Sequence, residues 1–302
     1  MSRRKLPRVL IAAIASLLLL AALVWFALPV LVMGPAHAHV GNAPADLRAE
    51  NVAFASDPEM VIRGWFIKGK PHGGAVLLLH GIHANRLMEI GRARFLHQAG
   101  YAVLAIDFRA HGESTGDRIT FGYREAHDVA ASIAYLRKRA SGERIGVIGT
   151  SMGGAAFLLA TPPLRVDAVV LEQVYPTVDL AFDNRMTSYL GPLGHALSRF
   201  ALSALSKRTG LSPQNLRPID HIAYLRAPLF LIGGGADRYT PPAESRAMFA
   251  AAEEPKTFWL VPGAGHVDLQ RFTPVEYRRR ILAFFDAKLR SNRDSPQHFS
   301  TR

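Results

Sequence analysis

The run Ile145-Gly146-Val147-Ile148-Gly149-Thr150-Ser151-Met152-Gly153-Gly154, continuing as Ala155-Ala156-Phe157-Leu158-Leu159-Ala160, changes character twice. A short apolar segment comes first, glycines then surround a single serine, and good helix-forming residues follow. Gly-x-Ser-x-Gly in that setting describes a strand that turns sharply into a helix, with the serine at the turn. Gly149 and Gly153 have to be small for strand and helix to approach each other. The hydroxyl of Ser151 then stands above the sheet at a helix N-terminus, where free N–H groups and the helix dipole favour developing negative charge. The bare pattern recurs by chance in unrelated chains, so its weight comes from the flanking strand and helix.

A serine alcohol is a poor nucleophile at neutral pH and needs an imidazole base, which in turn needs a carboxylate to fix its tautomer and stabilise its cation. Both residue types occur in suitable places. The apolar run Ala227-Pro228-Leu229-Phe230-Leu231-Ile232 ends in Gly233-Gly234-Gly235-Ala236-Asp237. A second run, Lys256-Thr257-Phe258-Trp259-Leu260-Val261, ends in Pro262-Gly263-Ala264-Gly265-His266. Each sets a candidate catalytic group on a Gly-rich loop after a strand's C-terminal end, where open α/β sheets keep their sites. The order Ser151, Asp237, His266 is one of the known chain orders of such a triad.

Elsewhere strands and helices alternate. Segments 52–54 and 61–68 predict an opening antiparallel pair, and Ala75-Val76-Leu77-Leu78-Leu79 a central strand covered on both faces. Helix 88–98 precedes strand 102–106, helix 123–138 precedes strand 145–148, and strand 167–171 follows the serine's helix. That alternation predicts an α/β fold with a mostly parallel central sheet flanked by helices. It stops between residues 172 and 225, where Met186, Tyr189, Leu190, Leu193, Leu197, Phe200, Leu202 and Leu205 mark an apolar helical stretch. The alternatives for this insertion are a short cap over the pocket and a helix pair packed on the sheet edge; the cap is preferred.

Four blocks carry a resemblance to a known family: His80-Gly81-Ile82-His83-Ala84-Asn85-Arg86, Asp107-Phe108-Arg109-Ala110-His111-Gly112-Glu113-Ser114, Gly149 to Gly154, and Asp237-Arg238-Tyr239-Thr240-Pro241 with Gly265-His266. From about residue 51 to 289 the chain resembles the α/β-hydrolase fold serine hydrolases, and within them the membrane-associated branch related to Bem46-like and serine-aminopeptidase-like enzymes. The resemblance implies a catalytic triad of Ser151, Asp237 and His266. It also implies an oxyanion hole made by the backbone N–H of Met152, after the nucleophile, and of Ile82, in the loop after the first central strand. Expected activity is cleavage of a carboxylic ester or thioester through an acyl-enzyme. The alternatives are an aminopeptidase-like serine peptidase, an acyltransferase, and a non-catalytic binding protein that keeps the fold. Small acyl substrates, including lipid-like ones, are the expected partners. No cofactor or metal is expected.

Several residues compete for these roles. Glu172 ends the strand after the nucleophile and is the rival acid. His80 is expected to hold the oxyanion loop by hydrogen bonding, the Asp107–Ser114 block to fix loops, and Asp268 to cap a helix or lie at the surface. His80 with His83 makes no convincing metal pair, because no third ligand lies close in sequence, and His37 with His39 read as ordinary residues of a flexible linker.

The 36 basic and 24 acidic residues give a net charge of +12. Nucleic-acid binding is not the preferred explanation, since Arg278-Arg279-Arg280 and the other basic residues are not interleaved with stacking aromatics. An anionic membrane accounts for the excess more economically. Arg3, Arg4, Lys5 and Arg8 precede an uncharged stretch from Val9 to Met33, long enough to span a bilayer, and no Lys or Arg follows until Arg48. The positive-inside rule then keeps the N-terminus in the cytoplasm and exports the rest, giving a single-pass protein of the bacterial inner membrane with its catalytic domain outside. The alternative is a secreted protein released by cleavage after Ala36-His37-Ala38. The apolar core exceeds the 7–15 residues usual in a signal peptide, which favours an uncleaved anchor. Cysteine is absent, which rules out disulfides and a cysteine nucleophile. The expected organisation is therefore an anchor (1–33), a linker (34–50), a hydrolase domain (51–289) carrying the insertion (172–225), and a disordered tail (290–302). Oligomeric state is not encoded in any motif.

Overall fold

The computed structural model describes residues 5–290, so Arg3, Arg4 and all of the expected tail except Arg290 lie outside the described residues. The chain opens with helix α1 (Lys5–Met33), which contains an apolar stretch from Val9 to Met33 long enough to cross a membrane. Side chains 9–19 of this helix are exposed. Strand β1 (Ala36–His37) follows, then the antiparallel pair β2 (Glu50–Asp57) and β3 (Met60–Ile67). Next come β4 (Ala75–Leu79), α2 (Ile90–Ala99), β5 (Ala102–Ile106), β6 (His111–Gly112), α3 (Glu125–Arg139) and β7 (Ile145–Thr150). Helix α4 (Met152–Leu158) leads to β8 (Ala168–Glu172), and the insertion forms α5 (Val178–Leu190), α6 (Leu193–Thr209) and α7 (Pro218–Ile222). The domain closes with β9 (Leu229–Gly234), α8 (Pro242–Ala251), β10 (Lys256–Val261), α9 (Leu269–Phe272) and α10 (Pro274–Leu289).

Eight strands form one sheet in the order β10-β9-β8-β7-β4-β5-β3-β2. The pairings from β10 to β5 are parallel; β3 runs antiparallel to both β5 and β2. The central strands read as unbroken apolar runs because both faces are covered. In β4, Ala75, Leu77 and Leu79 join one core with Val129 and Ile133 of α3. Val76 and Leu78 join the other, with Phe95 of α2 and Phe285 of α10. The two-residue repeat of a strand sorts side chains between these layers.

Two expectations change. Residues 34–50 do not hang free as a linker. Strand β1 pairs in parallel with β6, the N–H of Ala36 donates to Ala110 O at 2.7 Å and that of Ala38 to Gly112 O at 3.0 Å, and Leu47 is buried. Glycine and proline mark irregular backbone, but here a remote edge supplies the hydrogen bonds that irregular backbone still requires. Gly233 and Gly234, expected in a loop, extend β9 because Leu260 and Val261 of β10 continue the ladder beside them.

Candidate active site

Strand β7 runs into α4 through Ser151, which holds the left-handed backbone of φ 51° that non-glycine residues rarely adopt. The Ser151 N–H donates to Glu172 O at 2.8 Å, which ties the turn to β8. Crowding explains the glycines. A Cβ on Gly153 would stand 2.4 Å from Leu79 O, and one on Gly149 would stand 2.7 Å from the Cα of Gly154. Ser151 is 8% exposed, at the wall of a cavity of about 730 Å³ that His266, Ile82 and Met152 also line.

The loops after β9 and β10 meet. His266 Nδ1 lies 2.8 Å from Asp237 Oδ2. The carboxylate can only accept there, so the Nδ1–H tautomer is required and Nε2 is left as the basic nitrogen. Asp237 is fully engaged: Oδ1 accepts from the N–H groups of Tyr239 (2.8 Å) and Thr240 (2.9 Å), and Oδ2 accepts also from Gln173 Nε2 (3.0 Å). Among the described residues no hydrogen bond joins the Ser151 hydroxyl to His266, and such contacts are often loose before substrate binds. No protein acceptor among the described residues engages the N–H of Ile82 or of Met152, so both remain available to a substrate oxygen.

Glu172 lies on the other side of the sheet. Val169 and Leu171 face the α3–α4 layer, so the alternation of β8 turns Glu172 toward α2 and α10. There it accepts from Arg92 Nη2 at 2.7 Å, from the Tyr277 hydroxyl in a short hydrogen bond, and from Thr150 Oγ1 at 3.2 Å. His80 is fully buried; its Nδ1 lies 2.7 Å from Gly81 O, and its Nε2 accepts from Phe108 N at 3.1 Å. Burial, helped by nearby His111, holds His80 down to about 3, so it stays neutral and pins the Gly81–Ile82 loop to the end of β5. Burial likewise lowers His111 to about 4, and its Nε2 accepts from His83 N at 3.1 Å.

Asp107 accepts from the N–H groups of Arg86 (2.7 Å) and Glu113 (2.9 Å), and Arg86 also pairs with Glu113. Hydrogen bonds from Gly41 and Val40 and the pairing with Arg86 hold Glu113 down to about 2. This block fixes loops, and it also fastens residues 40–41 to the domain. Asp268 caps α9, accepting from Gln270 N at 3.0 Å. Among the described residues no group of three or more His, Asp or Glu side chains is placed to hold a metal ion.

Two features have no motif that would have shown them in the sequence. Gln173, directly after β8, donates through Nε2 to Asp237 and to Gly265 O (2.6 Å), so one amide ties the acid to the loop bearing His266. Its own backbone is left-handed, at φ 51°. The second is the end of α1 and the residues after it: Leu31, Val32, Gly34 and Pro35 belong to the cavity wall, together with Phe182 and Met186 of α5.

Similarity to known proteins agrees with this architecture. A family model described as alpha/beta hydrolase fold matches residues 74–216. An uncharacterised protein of Mycobacterium tuberculosis is 30% identical over 274 residues, 88% of this chain and 89% of that protein. Among solved structures, an esterase of Pyrococcus furiosus superposes with a TM-score of 0.69 at 26% identity, covering 84% of this chain and 99% of the esterase. A bacterial membrane phospholipase A, 19% identical with a TM-score of 0.60 over 95% of this chain and 99% of its own, shares the fold. With its parallel sheet, its serine at the strand-to-helix turn and these relatives, the chain belongs to the α/β-hydrolase family.

Proposed function

We propose that this protein is a serine hydrolase that cleaves a carboxylic ester or thioester through an acyl-enzyme. The observation that carries the reading is the 2.8 Å pair of His266 Nδ1 and Asp237 Oδ2 beside the cavity that Ser151 lines. His266 Nε2 takes the Ser151 proton as Oγ bonds to the acyl carbon. The N–H groups of Ile82 and Met152 stabilise the resulting oxyanion. Collapse breaks the bond to the leaving group, which takes the proton from Nε2. Water then attacks the acyl-enzyme and gives a proton to Nε2. The carbon–Oγ bond breaks, and Oγ recovers the proton. Asp237 orients the imidazole and stabilises its cation. A cavity walled by Ile82, Phe121, Val178 and Phe182 suits an apolar acyl chain, and α1 anchors the domain at the membrane on the side opposite its basic N-terminus.

Hydrolysis of p-nitrophenyl butyrate by wild type and Ser151→Ala tests the reading, with fluorophosphonate labelling as a second readout. The variant is expected to lose at least about three orders of magnitude in turnover and all labelling while staying folded. Retention of more than about a tenth of wild-type turnover removes Ser151 from the chemistry.

A further inference from the structure

The end of α1 is built into the catalytic domain. Met33 is buried with Phe121, Leu159, Val178, Leu202 and Leu205. Its carbonyl accepts from Ile119 N at 2.8 Å, and the carbonyl of Val32 lies 3.2 Å from Nε2 of His83, the neighbour of Ile82. Higher in the helix, the ring of Trp25 stands 6.0 Å from that of Phe200 in α6. The helix that anchors the protein is thus joined both to the oxyanion loop and to the insertion, and its last residues line the cavity beside Ser151.

Helix length sets the depth of this cavity. A hydrocarbon core takes about 20 helical residues, which counted from Val9 ends at Leu28. Leu31 follows roughly 4.5 Å further along the axis, at the level of the lipid headgroups. Tilting the helix brings it nearer still. Apolar Phe182 and Met186 line the same cavity, so an acyl chain can pass from bilayer to cavity while keeping apolar contact.

We infer that residues 31–35, at the end of the membrane helix, are a wall of the acyl site, so that the protein selects a long-chain lipid ester drawn from the membrane surface. This rests on the hydrolase reading and names the substrate class of the same site. It also gives the leader a role beyond attachment: cleavage after Ala38 would remove Met33 from the core and one wall from the pocket.

The test uses the full chain in detergent micelles, with p-nitrophenyl butyrate and p-nitrophenyl laurate as probes. Wild type is expected to prefer laurate. Val32→Trp, which fills the cavity from the helix side, is expected to lower kcat/KM for laurate at least about tenfold more than for butyrate, the distinction expected of a binding wall. Leu31→Trp, at a side chain that is 76% exposed, is expected to shift the same ratio and decides the matter if Val32→Trp does not fold. Leu18→Trp, elsewhere on the helix, is expected to change neither rate. Fluorophosphonate labelling of Ser151 reports that each variant keeps its site. A wild type that prefers butyrate, or an unchanged laurate-to-butyrate ratio in both tryptophan variants, overturns the wall and leaves the hydrolase reading standing. A wild type that neither labels nor turns over either ester overturns that reading and this inference with it.

Discussion

Two carboxylates, Asp237 and Glu172, sit at the ends of neighbouring strands, and their surroundings give them different work. Asp237 accepts four hydrogen bonds, one of them from His266, whereas Glu172 is buried against Arg92 and Tyr277. Asp237→Asn should keep the packing but favour the wrong imidazole tautomer, lowering turnover by about four orders of magnitude. Glu172→Gln should instead cost stability, on the order of 3 kcal/mol, because it leaves the buried Arg92 undercompensated. Turnover per folded molecule should stay near wild type. Thermal denaturation and kinetics of a small ester on both variants check this pair. A severe kinetic loss in Glu172→Gln with normal activity in Asp237→Asn would reverse the assignment. Both candidate acids could be seen in the sequence, since each follows an apolar run. Their separation could not, because it depends on which face of the sheet Glu172 takes and on where the loop after β9 carries Asp237.

At the scale of elements, one buried cation gathers four pieces of chain. Arg92 of α2 pairs with Glu172 of β8 at 2.7 Å and with Asp268, the cap of α9, at 3.2 Å, and its guanidinium lies over the Tyr277 ring of α10. Glu89, on the turn before α2, is a further carboxylate of this cluster, 3.6 Å from Arg92. Burial, reinforced by Glu172 and Asp268, pushes Glu89 up to about 7 despite Arg92. The sign follows from linkage. The unfolded chain ionises Glu89 near its ordinary value of 4.5, whereas the folded protein holds the proton until about pH 7. This group therefore favours the fold at acid pH, and that contribution is lost as pH rises from about 4.5 to about 7, at up to ~1.4 kcal/mol per pH unit. Glu89→Gln removes the titration. Its melting temperature relative to wild type should rise between pH 5 and pH 8, as read by thermal denaturation in buffered detergent. A difference independent of pH would show that Glu89 does not titrate in this range. Nothing in the local pattern around Glu89 announces this, because its burial and the charges of Glu172 and Asp268 come from segments remote in the chain.

For the whole molecule the governing asymmetry is a basic N-terminus followed by an apolar helix. Arg3, Arg4, Lys5 and Arg8 precede the span, and the next basic residue is Arg48. A reporter fused after Arg302 should therefore be active only outside the cytoplasm. Cytoplasmic activity of that fusion would overturn the orientation. Intact mass of the protein extracted from membranes should retain residues 1–38, because residues just before the cleavage site are built into the fold: Ala36 and His37 pair with β6, and Met33 fills a core cluster. A mature chain beginning at His39 would show that the leader is removed and the pocket closed by other means.

The alternation of apolar strands with helices, the serine in its glycine-bounded turn and the Gly-rich loops carrying Asp237 and His266 are local patterns. Each needs only a few consecutive residues to be recognised, so the sequence alone determined the sheet and nominated the candidate triad and oxyanion donors. Residues 34–50 show where that reading ends: their composition marks irregular backbone, but Ala36 and Ala38 take their backbone hydrogen bonds from the β6 region, more than seventy residues away. The face on which Glu172 lies, the tie that Gln173 makes between Asp237 and the His266 loop, and the entry of residues 31–35 into the cavity wall are of the same kind. Only the tertiary structure decided them, because each depends on contact between segments remote in the chain, and packing rather than local propensity chooses such partners.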